Sequence, residues 1–375
     1  MNSVEDYLLS VVAADQPSQG LVPATIRALL AGLSLVYGTV LDFYLALEKV
    51  GVRRRMHASV PVVSVGNLAV GGTGKTPFTI YLCDELIAHG LKPTVVSRGH
   101  GGRFAGSRIV SDGLGNVLGS AVECGDEPLA IARSLPSVPV IVGKDRRVSC
   151  TMAIAFAPDI IVLDDGFQYW QLFRNLDIVL LDARFPIGNG WALPRGLLRE
   201  RKGHLKRASI CVLTRCDDVH ESRLSETITA VRKVIGDNPM FKSTHVPVCL
   251  VDVGTGGRIS LDAVRGLNVF YFSGIANPEA LGRMIEGKLG AKIAGNHHFR
   301  DHHAYTESDV ESIIRESRMA GADAIITTEK DIVKWSVDRT DVTMPLYVLK
   351  IGINVDDSGS LMKRVLDAYS AGIGQ

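Results

Sequence analysis

Apolar positions in this chain follow two patterns. One is a single long uncharged stretch near the N-terminus, residues 28–41, bracketed by Arg27 and Asp42. The other is a series of short β-rich runs at residues 60–65, 93–97, 139–142, 159–163, 176–181 and 209–213. Apolar character in these runs is continuous rather than alternating, which predicts strands buried on both faces, as in a parallel sheet. Helices are expected between them, at roughly residues 75–88 and 221–234. Residues 106–123 read as an inserted hairpin, with turn signals at Asp112-Gly113 and Gly115-Asn116. After a break at Asp237-Asn238-Pro239, residues 246–252 read as a linker strand. Further strands at 269–272, 324–327 and 346–349 alternate with helices at 278–289 and 307–320, the last N-capped by Thr306.

The uncharged N-terminal stretch is shorter than the ~20 residues a simple bilayer span needs. Arg27 lies before it and Arg53-Arg54-Arg55 follow downstream. It fits an amphipathic helix lying in a membrane interface, or a core helix packed on the neighbouring domain.

At 375 residues the chain can form two domains with separate cores. Its 41 Lys and Arg nearly balance 40 Asp and Glu, so no global field argues for a nucleic-acid partner. The six cysteines, at 83, 124, 150, 211, 216 and 249, form no C-x-x-C pair and read as buried thiols in a reducing compartment. Residues 1–20 carry Glu5, Asp6 and Asp15 and no basic n-region, so no secretory signal is expected.

Chemistry concentrates first at Ala69-Val70-Gly71-Gly72-Thr73-Gly74-Lys75-Thr76, directly after the first apolar run. A strand, then a Gly-rich loop, then Lys-Thr opening a helix is the signature of a triphosphate cradle. Glycines let successive N–H groups turn onto phosphate oxygens, the lysine bridges β- and γ-phosphates, and the threonine hydroxyl can ligate Mg²⁺. The helix N-terminus adds its positive end, and Pro77 is tolerated in the first turn. Ala69 stands where the motif usually has its first glycine. The reading is an α/β chain in three parts. Residues 1–55 form an N-terminal extension with a membrane-associated helix. Residues 56–240 form a P-loop NTPase-like, mostly parallel sheet domain, and 241–375 a linker strand and smaller C-terminal α/β domain.

Further candidates lie at strand ends. Asp164-Asp165 closes the run at 159–163, where a parallel sheet beside a phosphate loop must hold Mg²⁺. Asp126, in Gly125-Asp126-Glu127-Pro128, forms a second acidic corner, weak by itself because the same residues make a solvated turn. Arg146 follows the run ending at 142 and could meet phosphate. Residues 188–200 mix glycines, Asn189, an aromatic and the arginines 195 and 199, as a site for a partly apolar anion would. His297-His298-Phe299-Arg300-Asp301-His302-His303 matches no standard zinc framework; a tuned base, or the partner of a carboxylate base, is the other functional reading.

Together these segments resemble the tetraacyldisaccharide 4′-kinase family, the lipid A 4′-kinases of Gram-negative bacteria. Val65-Gly66-Asn67-Leu68 leading into the Gly-rich loop resembles that family's opening motif. Ser97-Arg98-Gly99, Gly125-Asp126-Glu127-Pro128, Leu163-Asp164-Asp165-Gly166-Phe167-Gln168, Leu198-Arg199-Glu200, Phe299-Arg300-Asp301-His302-His303 and Thr327-Thr328-Glu329-Lys330-Asp331 follow in the same order. The resemblance covers roughly residues 30–350, leaves residues 1–20 outside it, and extends to Tyr169 after Asp-Gly-Phe-Gln. The family tolerates a non-glycine at the position of Ala69.

The resemblance implies transfer of the γ-phosphoryl group of ATP, with Mg²⁺, to the 4′-hydroxyl of a tetraacylated glucosamine disaccharide 1-phosphate. It implies a monotopic enzyme, expected to be a monomer, on the cytoplasmic face of the inner membrane. Asp126 would form a catalytic dyad with His302 or His303, and Lys75 would act on the phosphates. Thr76, Asp164 or Asp165 would hold Mg²⁺, joined, as the family implies, by Glu200. Arg98, Arg146, Asn189 and Arg199 are the candidates for the substrate. Two rivals remain at this stage. Thr214-Arg215-Cys216-Asp217 half resembles a guanine-reading signature, as in a GTPase or metallochaperone-type switch, and a P-loop kinase of a soluble metabolite would use the same loop.

Overall fold

Thirteen strands form one continuous sheet in a computed structural model that describes residues 21–52, 54–275, 278–300, 303–335 and 344–373. The first half is laid down as β1 (Val62–Asn67), β2 (Pro93–Ser97), β3 (Ser107–Asp112), β4 (Pro139–Gly143), β5 (Ile160–Asp164), β6 (Leu176–Asp182) and β7 (Ile210–Thr214). In space they run β7-β6-β1-β5-β2-β4-β3, parallel except for β3. Strands β1, β2, β5 and β7 are buried at every position, as continuous apolar runs require.

β8 (Met240–Asp252) is thirteen residues long and serves both halves. Its start pairs parallel with β7, and nearly its whole length pairs antiparallel with β13 (Leu346–Val355). β9 (Arg258–Ile259) pairs beside it. β10 (Asn268–Ser273), β11 (Lys292–His298) and β12 (Ala324–Thr328) complete the second half, in the order β11-β10-β12-β13. β11 carries His297 and His298.

Helices cover both faces. α1 (Leu21–Lys49) precedes β1, and α2 (Lys75–Ala88) follows the Gly-rich loop. α3 (Ala121–Cys124) and α4 (Asp126–Ser134) meet at Gly125, whose φ of +89° lets one helix stop and the next begin. α5 (Arg146–Ala153), α6 (Glu221–Ile235), α7 (Pro278–Gly287), α8 (Glu307–Met319), α9 (Glu329–Ile332) and α10 (Ser358–Ile373) follow. α10 returns to the first half, where Leu361, Met362 and Val365 join the core around Phe78, Leu82 and Val95. A separate core under the second half gathers Leu250, Tyr271, Ile285 and Ile326.

The expected hairpin over 106–123 takes another form. β3 pairs with β4, while the returning segment makes a single bridge, Ser111 to Val117. Ser120 and Glu123 then form a capping box that turns the chain into α3 before a second strand can extend.

Candidate active site

The Gly-rich loop is held from three sides. Asn67 Nδ2 donates to the carbonyls of Ala69 (2.7 Å) and Gly71 (3.3 Å). Val70 N donates to Leu197 O at 2.7 Å, and Thr214 Oγ1, at the end of β7, donates to Thr73 O at 3.0 Å. Gly71 and Gly74 adopt φ of +119° and +83°, a region that side chains with a Cβ rarely enter. Gly74 is the N-cap of α2, so the first free amides of that helix open into the loop.

Lys75 is buried, with Nζ 3.7 Å from Asp165 Oδ1. Asp165 itself sits in the left-handed region at φ 51°. Its carboxylate takes two hydrogen bonds from Arg199 Nη1, at 2.8 and 3.0 Å, and its carbonyl takes one from buried Arg146 at 3.4 Å. Burial works against ionisation of Asp165, but Lys75 and Arg199 outweigh it and hold the carboxyl below its ordinary range. Next to it Asp164 is fully buried, accepting from Ser97 Oγ (2.8 Å) and Thr79 Oγ1 (3.3 Å). Burial, followed by the charges of Glu127 and Asp165, pushes Asp164 up to about 7. Asp164 and Asp165 thus stand side by side at the phosphate loop, and among the described residues no group of three or more His, Cys, Asp or Glu is gathered to hold a metal ion.

Opposite the loop, Asp126 and Glu127 open α4 into the same cleft, whose volume is about 420 Å³. Gly72, Thr73, Gly74, Lys75 and Thr76 line one wall of that cleft. The second half of the molecule contributes Arg283, Met284, Thr328, Glu329 and Lys330. Contacts cross between the halves: Lys334 Nζ lies 3.3 Å from Asp126 Oδ2, and Ser134 Oγ donates to Glu329 Oε1 at 3.1 Å.

The remaining candidates fall elsewhere. Arg98 is exposed at the end of β2, close enough to Arg146 to oppose its charge. Asn189 shapes its own loop, accepting from Trp191 N and donating to Arg195 O, both at 3.2 Å. Glu200 is fully buried, with Oε2 bonded to Arg207 Nη2 (2.6 Å) and His204 Nδ1 (2.9 Å) and Oε1 without a hydrogen-bond partner among the described residues. His204 Nε2 continues to Asp42 on α1 at 2.8 Å. His303 Nε2 meets Asp309 Oδ2 at 3.0 Å, and its ring stacks on Phe299. His302 lies outside the described residues, as do Asp301 and residues 1–20. His297 pairs with Glu316 (2.8 Å) and His298 with Tyr271 (3.2 Å).

Sequence reasoning missed His245 and Lys334. His245 approaches the loop so closely that a Cβ on Gly74 would lie 3.5 Å from its Nε2. Neither residue carries a motif signal, since each reaches the site by folding across from the second half. In the guanine-like segment Asp217 is neutralised by Lys288 Nζ at 3.1 Å, and Arg215 is paired with Asp182. An aspartate so engaged is not free to read a base edge.

Comparison with known proteins places these features together. The family described as Tetraacyldisaccharide-1-P 4'-kinase matches residues 26–370. A tetraacyldisaccharide 4'-kinase from Anaeromyxobacter sp. (strain K) is 39% identical over 328 residues, covering 87% of this chain and 86% of the relative. One from Desulfotalea psychrophila is 39% identical over 317 residues, covering 84% and 89%. The crystal structure of LpxK from Aquifex aeolicus, in complex with ATP, superposes with a TM-score of 0.73 at 28% identity, covering 92% of this chain and 99% of that one.

Proposed function

The chain belongs to the tetraacyldisaccharide-1-phosphate 4′-kinase family, and from that premise we propose how its own residues carry the reaction. The reaction is ATP-dependent transfer of a phosphoryl group to the 4′-hydroxyl of tetraacyldisaccharide 1-phosphate, a step of lipid A biosynthesis. Transfer passes through a loose transition state, so positioning and charge neutralisation supply most of the rate.

Lys75 and the amides of residues 71–76 hold the β- and γ-phosphates. The corner formed by Asp164, Asp165 and the Thr76 hydroxyl suits Mg²⁺, which takes one or two carboxylates plus phosphate oxygens and water rather than a full protein cage. The raised Asp164 supports this reading, because burial and the charges of Glu127 and Asp165 outweigh the nearby Lys75 and leave room for a further cation. Thr76 with Asp164 or Asp165 would hold the ion, which there neutralises charge developing on the transferred group. Glu200 binds Arg207 and His204 through Oε2 and so anchors α1, while its buried Oε1, without a partner among the described residues, suits it to join that set.

Asp126 accepts the proton of the sugar hydroxyl. The observation that carries this role is its place on the same cleft as Lys75 and Thr76, across from the phosphate loop. Asp309 already engages His303, so His302 is assigned as the dyad partner. Arg98 is assigned to the substrate's 1-phosphate, Arg146 and Arg199 to holding Asp165, and Asn189 to shaping the substrate loop. An assay with radiolabelled ATP and tetraacyl disaccharide 1-phosphate in detergent tests the scheme. Phosphorylated lipid is expected from the native chain and loss of at least about a hundredfold from Asp126→Asn, in the usual range for a general base. An Asp126→Asn enzyme at native turnover would sink the base assignment.

Membrane association rests on α1. Leu29, Leu33, Val36, Val40 and Phe43 are exposed by 50% or more and recur at helical spacing on one stripe. The opposite face is docked, with Ser34 Oγ on Ala192 O (2.8 Å), Tyr37 on Arg199 and Asp42 on Arg201 and His204. A helix bound along one side to its own protein lies in the interface instead of spanning it. The reading is a monomer on the cytoplasmic face of the inner membrane of a Gram-negative bacterium, where ATP is supplied.

A further inference from the structure

Lys334 is a cation that none of the steps above uses. It lies just past α9, with a side chain only 7% exposed and Nζ 3.3 Å from Asp126 Oδ2. Among the described residues this ammonium has no hydrogen-bond partner. An ammonium carries three donors, and burying one without acceptors is costly. The cost stands unless something else in the site gains from the charge.

The second half holds Lys334 rigidly. Its N–H donates to Asp331 O at 3.0 Å. Asp331 is wholly buried and takes hydrogen bonds from Gly274 N (2.9 Å), Tyr305 Oη (2.9 Å) and Thr328 Oγ1 (2.6 Å). Trp335, the next residue, packs against Phe272 and Tyr305. An exposed pair between flexible side chains contributes little. Here the chain on both sides of Lys334 is pinned, and the charge is aimed across the cleft at a carboxylate of the other half.

We propose that Lys334 is a positioning residue for phosphoryl transfer: it holds the Asp126 carboxylate in place from the second half, so that the base is set for the sugar hydroxyl only when the two halves meet. This rests on Asp126 being the base. Lys75 from α2, Glu127 from the same helix as Asp126, and Glu329 and Lys330 from α9 are among the charged groups that line this cleft. Lys334 reaches Asp126 from the other half, at 3.3 Å.

The test compares the native chain with Lys334→Met, Lys334→Arg and Asp126→Asn, measuring kcat and the KM for ATP. Turnover should fall about tenfold or more in Lys334→Met while the KM for ATP stays within about threefold, because the phosphate loop is untouched. Lys334→Arg should restore most of the lost turnover. Lys334→Gln keeps a polar head in the same place and is read in the same way if the methionine variant does not fold. Lys334→Met added to Asp126→Asn should cost nothing further. If Asp126→Asn is inactive while Lys334→Met keeps native turnover, the role of Lys334 is overturned and the base assignment stands. If Asp126→Asn is fully active, the base assignment falls and takes this inference with it.

Discussion

Tyr37 Oη, on the apolar helix α1, donates a hydrogen bond of 2.9 Å to the main-chain carbonyl of Arg199, whose guanidinium grips Asp165 in the cleft. One residue thus connects the exposed helix to the carboxylate beside the phosphate loop. Glu200 makes the same connection through His204 to Asp42. Tyr37→Phe keeps the ring and deletes the bond, leaving the carbonyl half-buried. A cost of about 1 kcal/mol in unfolding free energy is expected, with ATP affinity unchanged. Turnover of lipid in mixed micelles should drop severalfold, because Arg199 is less firmly seated. Urea unfolding alongside micellar assays checks this; equal turnover would mean that α1 and the site are not mechanically linked.

Lys75→Ala removes the one lysine inside the phosphate loop. Asp165 keeps Arg199 as a partner, so the corner is not left with an unpaired charge and the fold should persist. Turnover is expected to fall by about a hundredfold or more, the scale for deleting a fixed electrostatic donor at developing charge. Circular dichroism and thermal unfolding should remain near native. A variant that retains activity would move the phosphate contacts to other residues.

The phosphate loop was legible because its determinants are consecutive: strand, glycines, Lys75 and Thr76 follow one another, and β1 begins the sheet where the apolar run predicts. Asp164 and Asp165 were legible for a related reason, since a carboxyl end of a parallel strand beside β1 can only face that loop. The partners of Glu200 were not legible: Arg207 and His204 curl back to it. Nor does spacing reveal that Asp309, a helix-capping residue, takes His303, or that α10 packs against Phe78 and Leu82 in the first half. Each of these turns on which face a side chain presents after distant segments meet.

The two adjacent histidines should separate cleanly. His303 is tied to Asp309 and stacked on Phe299, so His303→Ala is expected to lower stability by about 1–2 kcal/mol and to spare turnover. Substituting His302, the assigned partner of Asp126, should do the reverse, lowering kcat by about a hundredfold at native stability. Thermal unfolding and initial rates on the two variants decide it. The opposite pattern would transfer the dyad to His303.

The apolar stripe of α1 gives a prediction about location. Val36 and Val40 are 63% and 61% exposed, one turn apart, and belong to no core cluster among the described residues. Val36→Glu with Val40→Glu should leave thermal unfolding unchanged and strongly reduce co-sedimentation with anionic phospholipid vesicles, since each buried apolar side chain is worth roughly 1.5–3 kcal/mol of partitioning. Unchanged vesicle binding would place the contact surface elsewhere.

His245 supplies a pH dependence of stability. It lies on β8 against the phosphate loop, and its main-chain carbonyl accepts from Lys288 Nζ. Burial, reinforced by the nearby Arg215, lowers its pKa from 6.5 to about 4. The unfolded chain therefore takes up a proton near pH 6.5 that the folded chain refuses until about pH 4. Between those values the unfolded state binds more protons, so stability rises with pH across the window and is complete above it. A loss on the order of 2 kcal/mol is expected from this group on going from pH 7 to pH 4.5. Asp217 and Asp218 face the imidazole and partly favour its charge, so the loss is smaller than burial alone would produce. His245→Gln keeps a polar side chain that does not titrate, and the difference in urea midpoint between the two pH values should shrink accordingly. If the native and His245→Gln chains lose the same stability on acidification, His245 is already charged in the fold, and the wall it shares with Gly74 is wetter than its surroundings indicate.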